Sequence, residues 1–185
     1  MAKTPRSILI LTGDCAEALE VMYPLQRLRE AGFAPEIATP NGKVVRSVIH
    51  DFEPEFETYT EKPGYRIPAD LSYEMVNVNR YAGLVIPGGR APEYIRNEPK
   101  AIEIVVHFMK RRKPVAAICH AAQILIAAGY CSGRKLTCYP ALCPDVERAG
   151  AKFTDSEVVV DGNLVTSRAW PDHPAFMREF LKKLG

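Results

Sequence analysis

A short apolar run that breaks directly into a helical repeat constrains this chain more than any other stretch: Lys113-Pro-Val-Ala-Ala-Ile-Cys-His-Ala-Ala-Gln-Ile-Leu-Ile-Ala-Ala-Gly129. Val115 to Ile118 is too brief for a helix and suits a buried strand, and Pro114 is tolerated only at such a strand's first position. From His120 onward Ile124, Leu125 and Ala128 recur at helical spacing, and Gly129 supplies the C-terminal stop. Cys119 therefore falls on the turn between strand and helix. Ala117 and Ala121, two residues to either side, are small, as a nucleophile elbow requires where strand and helix backbones come together. A thiol at a helix N-terminus also has its thiolate favoured by the dipole, which makes Cys119 the candidate nucleophile. The competing reading is an inert buried thiol, since free cysteine is among the most buried residue types.

The rest of the chain supplies the frame that such an elbow needs. Ser7 to Thr12 reads as a buried parallel strand that is left through Gly13-Asp14. Leu19, Met22, Leu25 and Leu28 then recur at helical spacing as far as Ala31-Gly32, and Phe33 to Thr39 is a second strand. Strand, helix, strand is the unit of a parallel sheet with a right-handed crossover. Tyr81 to Pro87 is another buried strand, Pro99 to Lys110 an amphipathic helix, Lys135 to Tyr139 a strand, and Ala141 to Ala149 a short helix closed by Gly150. Asp161-Gly162 between β-rich runs predicts a hairpin over Glu157 to Ser167, and Pro171 to Leu184 is the terminal helix. The expected fold class is α/β: a three-layer sandwich with a mainly parallel central sheet flanked by helices and a nucleophile elbow at Cys119. The length suits one domain over residues 1–185.

Open parallel sheets place their ligands beyond the C-terminal ends of the strands. Glu20 falls there, in the first turn of the first helix, although an ordinary exposed glutamate complementing the helix dipole would look the same. Pro87-Gly-Gly-Arg-Ala-Pro-Glu93 follows a second strand end; Gly88 and Gly89 either free the backbone for close approach, with N–H groups able to hold an oxyanion, or simply turn the chain into a helix. Asn41 to Asp70 is less regular. Lys43 to His50 suits a strand, and Asp51 to Pro68 a small hairpin or a cover over the site; long irregular segments in compact domains are often functional. His50 and Asp51 within it suit local hydrogen bonding better than catalysis, and His107 reads as a surface or boundary residue.

Composition narrows the classes. With 47% hydrophobic and 25% charged residues and a net charge of +2, the chain has an ordinary globular balance. Its densest basic cluster, Lys110-Arg-Arg-Lys113, falls at a helix C-terminus, where cations complement the dipole, so no nucleic-acid partner is expected. Five cysteines, at 15, 119, 131, 138 and 143, form an odd count without a C-x-x-C pair, which argues against a disulfide framework and a structural zinc site. No apolar run approaches the roughly 18 to 20 residues that span a bilayer. Met1 to Ser7 leads straight into a strand without a signal peptide's apolar segment. A reducing cytoplasm and no membrane association are the expectation.

Taken in order, Glu20, Gly88-Gly89, Ala-Ile-Cys119-His120-Ala, Asp161-Gly162 and Thr166-Ser167-Arg168 resemble the ThiJ/PfpI superfamily, within the class I glutamine amidotransferase-like fold. The resemblance covers nearly the whole chain and is most specific in Leu-Val-Ile-Pro-Gly-Gly-Arg-Ala-Pro-Glu93, in the Ala-Ile-Cys-His elbow and in Val-Val-Asp-Gly-Asn-Leu-Val-Thr-Ser-Arg168. Two branches look similar. PfpI-type intracellular peptidases share the histidine after the cysteine and Arg-Ala-Pro-Glu; plant glyoxalases of the glutathione-independent type share Glu-Val-Met-Tyr-Pro24 and the stretch from Val-Ile-His-Asp-Phe-Glu53 through Thr58-Tyr-Thr-Glu-Lys-Pro-Gly64. The second match, in the irregular excursion, favours the glyoxalase branch. His120 and Tyr139 stand where the Parkinson-associated branch has alanine and histidine, which argues against transferring its redox-chaperone biology.

The resemblance implies roles. Cys119 becomes the nucleophile, Glu20 its hydrogen-bonding acid and His120 the candidate base, with the N–H groups of Gly89 and His120 at the oxyanion. Glu93 matches a glutamate that, in PfpI-type proteins, reaches the Cys-His pair of a neighbouring subunit, so a homo-oligomer with a shared site is implied. The expected activity is glutathione-independent conversion of a small carbonyl such as methylglyoxal to lactate, or related deglycation, with no metal or other cofactor. The same residues suit cysteine peptidase or amidase chemistry, and an activated thiolate suits redox sensing by a stress protein or chaperone. A short contact between Glu20 and Cys119, with the carboxyl pKa raised, is the geometric expectation.

Overall fold

The computed structural model describes residues 5–185; the opening Met1 to Thr4, part of the segment read above for a signal peptide, lies outside them. The elements in order are β1 (Ser7–Leu11), α1 (Ala18–Glu30), β2 (Ala34–Thr39), β3 (Val45–Asp51), β4 (Thr60–Ile67), β5 (Leu71–Ser72), β6 (Tyr81–Ile86), α2 (Ala91–Ile95), α3 (Pro99–Lys110), β7 (Val115–Ile118), α4 (Ala122–Ala127), β8 (Lys135–Leu136), α5 (Cys143–Arg148), β9 (Lys152–Phe153), β10 (Val159–Asp161), β11 (Leu164–Ser167) and α6 (His173–Leu184). Seven strands form the central sheet in the order β10-β11-β7-β6-β1-β2-β5. All its pairings are parallel except β10 with β11. That exception is the hairpin at Asp161-Gly162, where Gly162 takes φ +59°.

Successive residues of a strand point to opposite faces, so a strand covered on both sides must be apolar throughout. β1 meets this demand. Leu9 and Leu11 pack with Leu84, Ile86, Phe108 and Leu125 on the face covered by α3, α4 and α5. Ile8 and Ile10 pack with Val85, Ile118, Phe176 and Phe180 on the face covered by α1 and α6. Three layers follow from this alternation. After β1 the chain moves outward to β2 and then returns to β6 on the other side of β1, so the strand order reverses at β1 and opens a crevice beyond the strand ends, the usual ligand position in such sheets.

One expectation is met in its hairpin alternative and two change in detail. The excursion is a separate antiparallel hairpin of β3 and β4, with a register irregularity between Arg46 and Val48. The strand expected over Lys135 to Tyr139 shortens to Lys135–Leu136, paired in parallel with Lys152–Phe153. Its continuation is captured elsewhere: the Thr137 N–H donates to Thr166 Oγ1 at 2.9 Å and the Tyr139 N–H to the Cys119 carbonyl at 3.3 Å. The elbow helix begins at Ala122 rather than His120, because Cys119–Ala121 forms a tighter 3₁₀ turn. Among the described residues no helix is long and apolar enough to cross a membrane.

Candidate active site

β7 ends at Ile118 in extended backbone, φ −124° and ψ 148°, and the next residue, Cys119, turns to φ +60°. A non-glycine residue in this left-handed region carries roughly 1–3 kcal/mol of strain, held only because the surroundings determine it. Here the turn aims the side chain at the crevice between β6 and β1 while its neighbours Ala117 and Ala121 stay fully packed. Cys119 itself is 4% exposed.

The loop after β6 fits closely around it. A Cβ on Gly88 would sit 2.5 Å from the Cys119 Cβ and 2.6 Å from Glu20 Oε2, so only glycine lets the backbone pass between thiol and carboxyl. Gly89 has φ +70°, and a side chain there would collide with the Glu17 backbone nitrogen. The Gly88 N–H donates to Glu20 Oε2 at 2.7 Å and is thereby committed to the carboxyl instead of an oxyanion. The N–H groups of Gly89 and His120 face the Cys119 sulfur.

Glu20 is fully buried in the first turn of α1. Burial, and then the neighbouring Glu17 carboxylate, raise its pKa to about 8, against the opposing Gly88 N–H and weaker contacts from Cys119 and the Trp170 backbone. Its other oxygen, Oε1, has no hydrogen-bond partner among the described residues. A buried, unpartnered carboxyl oxygen with that pKa is protonated at neutral pH, beside the sulfur. The Cys119 thiol is pushed up, first by burial and second by charge on Glu20, while the two backbone N–H groups pull it down. This corrects the expectation of a dipole-lowered thiol: the helix that follows has six residues, and desolvation outweighs its field. Carboxyl and thiol titrate as a pair that accommodates one charge.

His120 Nδ1 lies 3.2 Å from Cys119 Sγ. Burial, and then the nearby His50, lower the His120 pKa to about 4, so the ring is neutral at pH 7 and can accept a proton. The ring is held by two tyrosines: Tyr139 stacks on it at 5.0 Å, and Tyr59 meets its edge at 6.0 Å. Tyr59 comes from the hairpin, where it stacks on His50 at 4.1 Å. His50 Nε2 lies 3.0 Å from Glu61 Oε2, and Arg90 grips Glu61 through Nε at 2.9 Å and Nη2 at 2.7 Å. The excursion is therefore a wall of the site, latched to the residue after Gly89.

The structure thus brings Cys119, His120, Glu20, Gly88 and Gly89 together. Glu93, in the first turn of α2, is exposed and forms no hydrogen bond to His120 within the described chain. His50 acts on His120 only across Tyr59, Asp51 accepts locally from the Phe52 N–H at 3.0 Å, and His107 lies on α3 against Phe108. Sequence reasoning missed two residues. Glu17 is buried and caps α1 by accepting from the Glu20 N–H at 2.8 Å; its three-residue spacing from Glu20 was a usable signal. Tyr59 had no local signal, because its partners are remote in sequence.

Known proteins are similar to this chain along nearly its whole length. A deglycase of Pyrococcus abyssi is 45% identical over 177 residues, covering 96% of this chain and 98% of that protein. DJ-1 homolog D of Arabidopsis thaliana is 41% identical over 187 residues, covering 97% of this chain, which spans 48% of that longer protein. The crystal structure of Drosophila melanogaster DJ-1beta superposes with a TM-score of 0.83 at 25% identity, over 98% of this chain and 91% of that one. The profile of the DJ-1/PfpI family matches residues 6–183, from the first strand of the sheet to the last helix and through every residue gathered around Cys119, and the chain belongs to that family.

Proposed function

We propose that this protein is a cysteine-dependent enzyme acting on small reactive carbonyls, as a glutathione-independent glyoxalase or a deglycase, with residues 1–185 working as one domain. The observation that carries the reading is the trio at the elbow: a strained, 4% exposed Cys119, a neutral His120 at 3.2 Å and a buried Glu20 that keeps its proton near neutrality. The similarity to a protein named as a deglycase supports it. The aromatic wall of Tyr59 and Tyr139 suits a small electrophile better than a polypeptide backbone.

In the reaction, the thiol proton passes to His120 as sulfur attacks the aldehyde carbon of methylglyoxal, forming a C–S bond and a hemithioacetal. The N–H groups of Gly89 and His120 and the Glu20 proton stabilise the charge that develops around sulfur and oxygen. The imidazolium first gives that proton to the adduct oxygen; neutral His120 then removes the C1 proton and, with a proton on the C2 oxygen, an enediol forms, and delivery of a proton to C2 as the C1 oxygen loses its own gives a lactoyl thioester. Water cleaves the C–S bond, releasing lactate and the thiol. In deglycation sulfur attacks the hemiaminal carbon, the C–S bond forms as the C–N bond breaks, the thiol proton leaves on the amine through His120, and the resulting hemithioacetal follows the same course. Glu93, exposed and unbound to its own His120, is placed by this reading across the interface of a homo-oligomer. Five free cysteines fit a reducing cytoplasm.

The test is lactate formation from methylglyoxal without glutathione, followed by product, together with amine release from a methylglyoxal adduct of N-acetyl-lysine. Cys119→Ala abolishes both and leaves the fold intact. Cys119-dependent cleavage of a generic peptide with no lactate or amine release overturns this reading in favour of the peptidase one.

A further inference from the structure

Beside the site lies a second cavity of about 470 Å³ with no role in the chemistry above. Phe52 and Phe56, 48% and 57% exposed, line it, an unusual investment of aromatic surface on a small hairpin. Phe52 continues inward to the ring of Trp170, 6.1 Å away. The cavity is joined to the elbow through Tyr139, which lines it and stacks on His120. The Ala169–Pro171 stretch lines it too.

Its charges are one-sided. Arg168 is the one cation in the lining, and it is saturated by Asp172, at 2.8 and 3.0 Å, and by Asp155, at 2.8 Å. Glu53 is paired with Lys62 at 2.9 Å. Glu57 has no cationic partner among the described residues. A phosphate entering here meets an occupied guanidinium and a free carboxylate; an ammonium or guanidinium group meets a free carboxylate and aromatic faces suited to cation–π contact.

We propose that this groove is a docking subsite for polypeptide substrates, receiving a lysine or arginine side chain that neighbours the carbonyl-modified residue. It rests on the reading of Cys119 as acting on carbonyl adducts. Cys119 is too enclosed for a backbone amide, but an adduct at the tip of a long side chain reaches it while the backbone stays outside, where the groove begins. Residues flanking the modified one then lie against Phe52, Phe56 and Glu57. The subsite selects sequence context, and it disfavours nucleic acid.

Trp170 is the sole tryptophan of the chain and abuts Phe52, so its fluorescence reports occupancy without turnover. The probes are two unmodified peptides, identical but for arginine or glutamate beside a central lysine, titrated into Cys119→Ala protein, with a single-stranded oligonucleotide as the third arm. The arginine peptide is expected to bind about tenfold more tightly than the glutamate peptide, a preference that falls with salt and disappears in Glu57→Lys, as an exposed pair reversed in sign should. In the catalytically intact protein the same ratio appears in kcat/KM for the methylglyoxal adducts of the two peptides, while turnover of methylglyoxal itself is unchanged by Glu57→Lys. Equal affinities, a preference that survives Glu57→Lys, or tighter binding of the oligonucleotide would overturn the subsite. Loss of all Cys119-dependent turnover would instead strike the proposed function, and the fluorescence titration would still decide the subsite.

Discussion

At the residue scale the site is a problem of where one negative charge and one proton reside. Glu20 keeps its proton to about pH 8 in the fold, whereas an unfolded carboxyl loses it near 4.5. The folded state therefore binds the extra proton between those values, and this residue's contribution to stability declines as pH rises from about 5 to 8. Glu20→Gln removes that titration, so its melting temperature, measured by calorimetry from pH 5 to 9, should fall less than that of the native protein. Activity should follow the same groups: His120 is neutral above about pH 4 and Glu20 protonated below about pH 8, so kcat/KM for methylglyoxal should fall outside that window. An alkaline limb unchanged in Glu20→Gln would assign it to another group. Gly88 is the second test. An alanine methyl would press on both Cys119 and Glu20, and displacements near 1 Å at a reacting atom cost on the order of 100-fold in rate. Gly88→Ala should lose about that much kcat/KM while still melting cooperatively.

At the element scale the β3–β4 hairpin is anchored at its base by buried Val45 and Ile67 and by backbone bonds of Arg46 and Val48 to Cys15 and Ala16, and toward its tip by polar contacts. β4 is mostly exposed, and its tie to the loop after β6 is the chain His50, Glu61, Arg90. Glu61 is about a quarter exposed, so the pair contributes modestly, about 1 kcal/mol or less. Its consequence is local. Glu61→Ala should leave global stability nearly unchanged yet speed hydrogen exchange in Val45–Asp51 and Thr60–Ile67, and it should raise KM as Tyr59 loses its fixed place beside His120. Unchanged exchange rates in both strands would show that the stacking of His50 on Tyr59 suffices to hold the hairpin.

At the scale of the whole molecule, Glu93 is the candidate site residue that the single chain leaves outside the cluster. If it completes the site of a neighbouring copy, mixing Cys119→Ala with Glu93→Ala protein should restore a fraction of native activity after subunit exchange, because some sites then combine an intact thiol with an intact glutamate. Restoration is read as lactate formation, with exchange verified by mass-labelled subunits. No recovery after verified exchange would remove Glu93 from that role.

The sequence by itself determined the layers and the position of Cys119 at the turn between strand and helix. Unbroken apolar runs such as Ile8 to Leu11 and Val115 to Ile118 dictate doubly covered strands, Asp161-Gly162 dictates a hairpin, and the change of period at Cys119 dictates an elbow; each is a local signal, legible over a few residues. The strand ends at Leu136 because remote partners, Thr166 Oγ1 and the Cys119 carbonyl, capture the next residues, and the elbow helix starts late because the turn at Cys119 first tightens into a 3₁₀ form. Glu20 could not be told from a surface glutamate by pattern, since its burial depends on the loop at Gly88 closing over it from the other side of the crevice. The same holds for Tyr59 and His50, which a polar, irregular stretch conceals until the hairpin folds back against His120. Only the tertiary structure brings these groups together, and only the low dielectric it creates raises the carboxyl, lowers the imidazole and reverses the expectation for the thiol.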